Sequence, residues 1–194
     1  DVVAAGQNVM ARAGAVLSNS FMASGTGGES PTLDRYSFPT WANPKPLRKG
    51  QWFRIGLSGL LRGYYFDVSR TKPIGPATNA QIDAFEAAIS VVEAGIGAIR
   101  VGAKAGKVAD AALAMQERLG YPIKSVFSGL GHGIGLGWDN PWFVAGEPLV
   151  LKPNMVLNVE RTLMRDGYLG DFEETVLLTE NGTELLTNAK IRRW

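Results

Sequence analysis

The segment MVLNVERT at residues 155–162, with the Asp166-Gly167 pair that follows it, decides the fold. Its side chains alternate as those of a β-strand do, and a second strand-like segment covers residues 168–178. Asp-Gly is a preferred dipeptide for the two-residue turn of a β-hairpin. A turn at this pair places Glu160 directly opposite Glu173 on the neighbouring strand.

Two glutamates that face each other across a hairpin require a neutralising partner. Directly opposed residues have Cβ atoms about 4.5–5.5 Å apart, and like charges at that distance are destabilising. A fold that keeps such a pair neutralises it with a cation or with a shared proton. The next predicted pair on the same face is Asn158 with Thr175, so the polar patch extends beyond Glu160 and Glu173.

The only histidine of the chain lies in the glycine-rich segment GHGIG at residues 131–135. Glycines lack a Cβ, so the backbone beside His132 can approach a ligand closely. One imidazole together with carboxylates of Asp67, Glu160 and Glu173 would form an oxygen-rich site with one nitrogen. That ligand set suits Mn, Fe(II), Co or Zn better than copper or an iron–sulfur cluster.

Asp67 belongs to an earlier predicted hairpin. With its turn centred on Leu61-Arg62, Asp67 would lie opposite Gly56. An alternative for Asp67 is a surface ion pair with Arg54 or Arg70.

The order of elements, strands first, then two helices, then strands, favours an α+β fold with helices packed on a largely antiparallel sheet. The segment 24–49 is rich in glycine and proline and predicts a long loop. The other predicted elements are a helix at 2–13, strands at 16–23, 51–57 and 63–71, an amphipathic helix from Ile82 to Ile99 behind a Thr78–Gln81 capping box, a helix at 107–119, and a strand at 123–128.

Composition excludes several classes of protein. The 194 residues are 45% hydrophobic and 20% charged, as in an ordinary globular domain. The net charge of +2 without a basic run argues against nucleic-acid binding, and no apolar segment is long enough to span a membrane. The absence of cysteine excludes disulfides and thiolate chemistry. We expect a cytoplasmic protein as the default.

Four motifs resemble, in order, the signatures of the pita-bread metallopeptidases, the group of methionine aminopeptidase, Xaa-Pro aminopeptidase, prolidase and creatinase. The similarity covers residues 45–187. The four motifs are residues 63–71 (GYYFDVSRT), 131–135 (GHGIG), 153–160 (PNMVLNVE) and 172–182 (FEETVLLTENG).

The resemblance implies a pita-bread fold, with a pseudo-twofold curved antiparallel sheet, helices on its outer face and a metal cluster on its concave face. The family's five metal ligands are Asp, Asp, His, Glu and Glu, and the last four correspond to Asp67, His132, Glu160 and Glu173. The first aspartate corresponds to Gly56, which has no side chain. We therefore expect one divalent metal ion (Mn, Co, Fe or Zn) and the loss of the second metal site.

A second departure concerns the substrate pocket. Family peptidases usually carry another histidine seven residues after the first, and that position is Asp139 here. Its carboxylate would repel an oxyanion but would hold a cationic group of a substrate. We expect Asp139, Trp138 and Tyr65 to contact the substrate, although such aromatic residues equally suit a hydrophobic core.

The sequence thus predicts a metal-assisted hydrolase resembling Xaa-Pro dipeptidase or aminopeptidase, acting on a small peptide or an amide-like C–N bond, with His132, Glu160 and Glu173 in catalytic roles. Two alternatives stay open. One is a metal-free, creatinase-like hydrolase in which His132 is the acid and base, and the other is a non-catalytic binding domain.

We expect residues 1–194 to form a single domain, the C-terminal part of a longer protein whose N-terminal domain is missing, because Asp1 begins a helix pattern without a cap. By analogy with the family, we also expect a homodimer.

Overall fold

The computed structural model describes residues 1–26, 32–37, 46–123 and 129–189. These residues form an α+β fold, as predicted from the sequence. The elements are α1 (Val2–Arg12), β1 (Ala15–Gly25), β2 (Thr32–Ser37), β3 (Trp52–Leu61), β4 (Tyr64–Pro73), α2 (Asn79–Ala98), α3 (Ala105–Arg118), β5 (Gly131–Ile134), β6 (Trp138–Trp142), β7 (Val156–Arg165), β8 (Tyr168–Thr179) and β9 (Gly182–Leu185).

The β7–β8 hairpin has the predicted register. Asp166 and Gly167 form its turn with φ angles of 53° and 76°, in the left-handed region that this kind of hairpin turn requires. Glu160 therefore lies opposite Glu173, and Asn158 lies opposite Thr175.

The predicted register of the β3–β4 hairpin is wrong by two residues. Its turn is Arg62-Gly63, with φ angles of 53° and 83°, and not Leu61-Arg62. A glycine in the second turn position adopts a positive φ without steric cost, which is why the turn forms there. Asp67 consequently lies opposite Ser58, and Gly56 lies opposite Ser69.

All strand pairs are antiparallel, and the strand order is β2-β1-β3-β4-β8-β7-β5-β6, with β9 beside β8. The two long hairpins thus meet at the centre, where Arg70 of β4 pairs with Phe172 of β8. The order is symmetric about this junction, which agrees with the expected pseudo-twofold fold.

The prediction of a continuous loop at 24–49 is wrong for the residues that belong to strands. Residues 24–25 end β1, and residues 32–37 form β2, which pairs with β1. The exposed backbone groups of β1 explain this pairing, because a sheet edge offers unpaired donors and acceptors to any adjacent segment. Of the predicted strand at 123–128, residues 124–128 lie outside the described residues.

Helices cover one face of the sheet. α2 begins with the predicted capping box, in which the Thr78 and Gln81 side chains bond each other's backbone N–H groups. α2 packs on β7 and β8, and α3 packs on α2. A Cβ on Gly170 would lie only 1.8 Å from the carbonyl oxygen of Ala84, so glycine permits this close contact of helix and strand. The main hydrophobic core lies between these helices and the sheet.

The helices that the structure describes include none with the length and hydropathy of a membrane span.

Candidate metal centre

The polar residues of the central strands share the sheet face that turns away from α2. In a strand every second side chain points to the same face. Phe172 of β8 packs edge-on against Phe85 of α2, so the neighbouring Asp171 and Glu173 point to the opposite face. The antiparallel pairings bring Asp67, His132 and Glu160 to that face as well.

Three of the four predicted metal ligands come together. Ligand atoms of Asp67, His132 and Glu173 all lie within 4.8 Å of one another, and His132 Nε2 is 3.9 Å from Asp67 Oδ2. One nitrogen and carboxylate oxygens suit a divalent metal ion such as Mn, Fe, Co or Zn. Glu160 lies directly opposite Glu173 in the sheet but does not belong to this group of three.

Glycines on both sides of His132 allow β5 to fit between its neighbours. A Cβ on Gly131 would lie 2.0 Å from the backbone oxygen of Asn158, and one on Gly133 would lie 2.3 Å from that of Asn140. The two glycines therefore permit the close packing of β5 against β6 and β7 that positions His132. The imidazole Nδ1 lies 2.9 Å from the Gly133 oxygen. We assign the proton to Nδ1, which leaves Nε2 with a free lone pair for a ligand.

Neighbouring polar groups orient the carboxylates. The Trp138 indole N–H donates to Asp67 Oδ2 at 2.7 Å, and the Asn158 amide donates to Glu173 Oε1 at 2.6 Å. Thr175 donates to Asn158 Oδ1 at 2.6 Å and fixes the amide in turn. Such outer partners tune metal ligands strongly. The sequence indicated Asn158 and Thr175 only as a polar pair.

Burial changes the protonation of the acidic side chains. It raises the pKa of Asp67 to about 7, although the hydrogen bond from Trp138 acts in the opposite direction. Burial, followed by the charges of Asp171 and Asp67, raises the pKa of Glu160 to about 8. Burial also raises the pKa of Glu173 well above its ordinary value, and the charges of Asp67 and Glu160 add to this effect. A cation would favour the ionised carboxylates and displace their protons.

The imidazole of His132 responds to burial in the opposite direction. Burial lowers its pKa, so the neutral form that binds metals is favoured. The side chains present therefore fit a divalent metal ion in donor type, in proximity and in charge.

The three residues predicted to contact the substrate are placed differently. Trp138 lies in the site, where its ring is 5.8 Å from that of His132. Tyr65 is buried beside it, with ring centroids 6.0 Å apart, and its hydroxyl donates to Ser18.

Asp139 does not join the group. It pairs with Gly133, whose position in β5 faces away from the His132 side of the sheet. Its exposed carboxylate lines another cavity of about 170 Å³, together with Tyr64 and Asn154.

Sequence reasoning missed a buried ion pair at this site. Arg54 Nε donates to Asp171 Oδ2 at 2.9 Å, and both side chains are almost completely buried. The strand alternation contains a signal for Asp171, which is two residues before Glu173 and therefore on its face. Of the two cations considered for Asp67, Arg54 forms this ion pair with Asp171, and Arg70 forms one with Glu174 at 2.8 Å.

The chain is similar to several known peptidases. The model of metallopeptidase family M24 matches residues 1–180. Methionine aminopeptidase B of Synechocystis sp. is 32% identical over 171 residues, covering 76% of this chain and 62% of that protein. The Xaa-Pro dipeptidase of Pyrococcus furiosus is 29% identical over 174 residues, covering 84% and 50%.

Solved structures confirm the pita-bread fold. Dipeptidase PepE from Mycobacterium ulcerans has a TM-score of 0.76 at 26% identity, covering 90% of this chain and 46% of that one. Prolidase from Pyrococcus furiosus has a TM-score of 0.72 at 25% identity, covering 91% and 49%. The chain thus spans about half the length of these proteins.

Proposed function

Because the chain belongs to metallopeptidase family M24, we propose that it forms the metal-binding part of a hydrolase resembling Xaa-Pro dipeptidases and aminopeptidases. The substrate would be a small peptide or another molecule with an amide-like C–N bond. The observation that carries this proposal is the convergence of Asp67, His132 and Glu173, whose ligand atoms lie within 4.8 Å of one another.

Asp67, His132 and Glu173 would hold one divalent metal ion, and Glu160 would supply a fourth ligand from the opposite strand. Such an ion polarises the scissile carbonyl and lowers the pKa of water. The ion would be Mn, Co, Fe or Zn, since these metals suit one imidazole with several carboxylates.

The protein's own groups would position the reactants and move the proton. His132 keeps Nε2 unprotonated because its Nδ1 hydrogen bonds to the Gly133 carbonyl oxygen. Glu160 is half-buried and lies directly opposite Glu173, so its carboxylate would be placed to take up the proton of the attacking water. It would therefore carry a proton to the leaving nitrogen. Trp138 and Tyr65 would form an apolar wall beside the scissile bond.

The two alternatives predicted from the sequence are not favoured. The similar proteins are methionine aminopeptidases, dipeptidases and prolidases. A metal-free mechanism would also leave the cluster of Asp67, Glu160 and Glu173 without the divalent charge that would balance it, and a binding domain would have no need of this convergence.

Hydrolysis assays with the purified chain test this function. We expect the chain to release amino acids from Xaa-Pro dipeptides or from short peptides with an N-terminal methionine when Mn²⁺ or Co²⁺ is added. His132→Ala should lower the rate by at least about 10²-fold, because the site loses a metal ligand, and loss of even an outer partner of a ligand typically costs about 10–100-fold. Equal rates before and after exhaustive chelation would contradict the metal-assisted mechanism.

We further propose a homodimer in the cytoplasm. Support for a dimer comes from β2, which is an edge strand of the described sheet, because edge strands pair readily with other chains. The absence of cysteine is compatible with a reducing compartment. Light scattering of the purified protein would test the dimer, and a monomer at micromolar concentration would contradict it.

A further inference from the structure

The guanidinium of Arg54 occupies the space that any side chain at position 56 would need. A Cβ added to Gly56 would lie 2.9 Å from Arg54 Nη1 and 3.2 Å from its Cζ. Both residues belong to β3 and are two positions apart, so they face the same side of the sheet as the metal-binding group. Gly56 is therefore the residue that makes room for Arg54.

Arg54 is a fixed cation. Only 4% of its surface is exposed, and its Nε donates to Asp171 Oδ2 at 2.9 Å. Asp171 is completely buried and accepts a second hydrogen bond from the Thr162 hydroxyl. A buried carboxylate that is bonded on both oxygens holds the guanidinium in one position.

The charges on this face also require a second cation. Asp67, Glu160, Asp171 and Glu173 all point to it. One divalent ion would balance two of these four carboxylates, whereas a buried charge without a partner is strongly unfavourable. Arg54 supplies a further positive charge, because its guanidinium stays protonated near neutral pH.

The strand pairs around Arg54 bring hydroxyl groups, and not carboxylates, next to it. The residues paired with Arg54, Gly56 and Asp67 across the β3–β4 hairpin region carry hydroxyl groups, namely Thr71, Ser69 and Ser58. These three hydroxyls are buried and have no hydrogen-bond partner in the described part of the chain. A neutral hydroxyl is a poor substitute for a carboxylate as a ligand of a divalent ion.

We propose that the guanidinium of Arg54, held by Asp171, takes the place of a second metal ion, so that the centre contains one metal and one side-chain cation. This inference rests on the proposed function, since it assumes that Asp67, His132 and Glu173 bind the first ion. Arg54 is then a positioning residue that balances charge and excludes a second ion.

Equilibrium dialysis against Mn²⁺, followed by elemental analysis, tests this inference. We expect the double variant Arg54→Leu/Gly56→Asp to bind one Mn²⁺ ion more than the wild type. Gly56→Asp alone should bind the same number as the wild type, because its carboxylate would meet the guanidinium. Arg54→Lys should also leave the number unchanged, since it keeps the charge.

The difference in bound Mn²⁺ per chain between the double variant and the wild type tests this inference. The number of Mn²⁺ ions bound by the wild type tests the proposed function. A folded double variant that binds no additional ion would overturn the role of Arg54, as would an additional ion in Gly56→Asp alone. If the double variant does not fold, anomalous scattering from wild-type crystals grown in excess Mn²⁺ tests the inference instead. One anomalous peak beside His132 supports the inference, and a second peak bonded to Asp171 with Arg54 displaced overturns it.

Discussion

Glu160 and Glu173 face each other directly across the β7–β8 hairpin, and only 1% of the Glu173 surface is exposed. Two carboxylates in this position repel each other unless a cation or a proton lies between them. In the metal-free protein this repulsion and burial favour protonated side chains, and a bound ion would displace those protons and balance the charges.

The first prediction is that Mn²⁺ stabilises the chain against heat. An ion that binds only the folded state adds about 2.7 kcal/mol at a free concentration 100-fold above its dissociation constant. For a chain of this size, that corresponds to a rise of roughly 5–10 °C in the melting temperature. Differential scanning calorimetry with Mn²⁺ and with chelator measures the effect. His132→Ala serves as the control and should show a rise of less than about 2 °C.

The second prediction concerns the pH dependence of the chelated protein. In the folded state the pKa of Asp67 is raised to about 7 and that of Glu160 to about 8, whereas in the unfolded chain both lie near 4. Between about pH 4 and pH 8 the folded state therefore binds more protons than the unfolded chain. The free energy of unfolding falls as the pH rises through this range.

Urea unfolding of the chelated protein at pH 5.5 and pH 8.5 measures this effect. We expect the chelated protein to unfold at a lower urea concentration at pH 8.5 than at pH 5.5. Saturating Mn²⁺ should raise the urea midpoint more at pH 8.5 than at pH 5.5. A chelated protein that is more stable at pH 8.5 would show that the acids are not buried together as described.

The third prediction concerns the hydrogen bond from Trp138 to Asp67. Trp138→Phe keeps most of the ring but removes the indole donor, so Asp67 loses the partner that orients it. Loss of such a partner typically weakens metal binding by about 10–100-fold. Isothermal titration with Mn²⁺ measures the affinity.

Trp142→Phe is the matched control for this experiment. The ring of Trp142 also lies beside His132, with centroids 5.3 Å apart, but its indole makes no hydrogen bond to Asp67 in the described part of the chain. An equal loss of affinity in both variants would assign the effect to ring packing and not to the hydrogen bond.

The fourth prediction concerns the glycine before the histidine. Gly131 has a φ of 129°, and a Cβ there would lie 2.0 Å from the Asn158 oxygen. Gly131→Ala should therefore destabilise the fold by roughly 2–4 kcal/mol, from backbone strain and from the displaced strand. Gly137→Ala is the control, since a Cβ there meets nothing within 4 Å. Chemical unfolding that shows equal effects for both variants would contradict the close packing of β5 and β7.

Local turn chemistry explains which registers could be predicted. Asp166-Gly167 is an unambiguous hairpin turn, so the pairing of Glu160 with Glu173 followed from the sequence. The first hairpin lacks such a dipeptide, and the predicted turn at Leu61-Arg62 left out Gly63. The positive φ angles of Arg62 and Gly63 show that the glycine takes the second turn position.

The ion pair of Arg54 with Asp171 could not be predicted in the same way. Its partners are 117 positions apart in the chain and meet only because β4 pairs with β8 at the centre of the sheet. No local pattern specifies that pairing. The face of Asp171 follows from strand alternation, but its partner depends on the tertiary arrangement of the two hairpins.

The most direct test of the central claim is the Mn²⁺ content of the wild type and of His132→Ala after dialysis against the same Mn²⁺ solution. The account predicts one ion per wild-type chain at the site of Asp67, His132 and Glu173, and almost none in the variant, with unchanged circular dichroism. A wild-type chain that retains no more Mn²⁺ than the variant would contradict it.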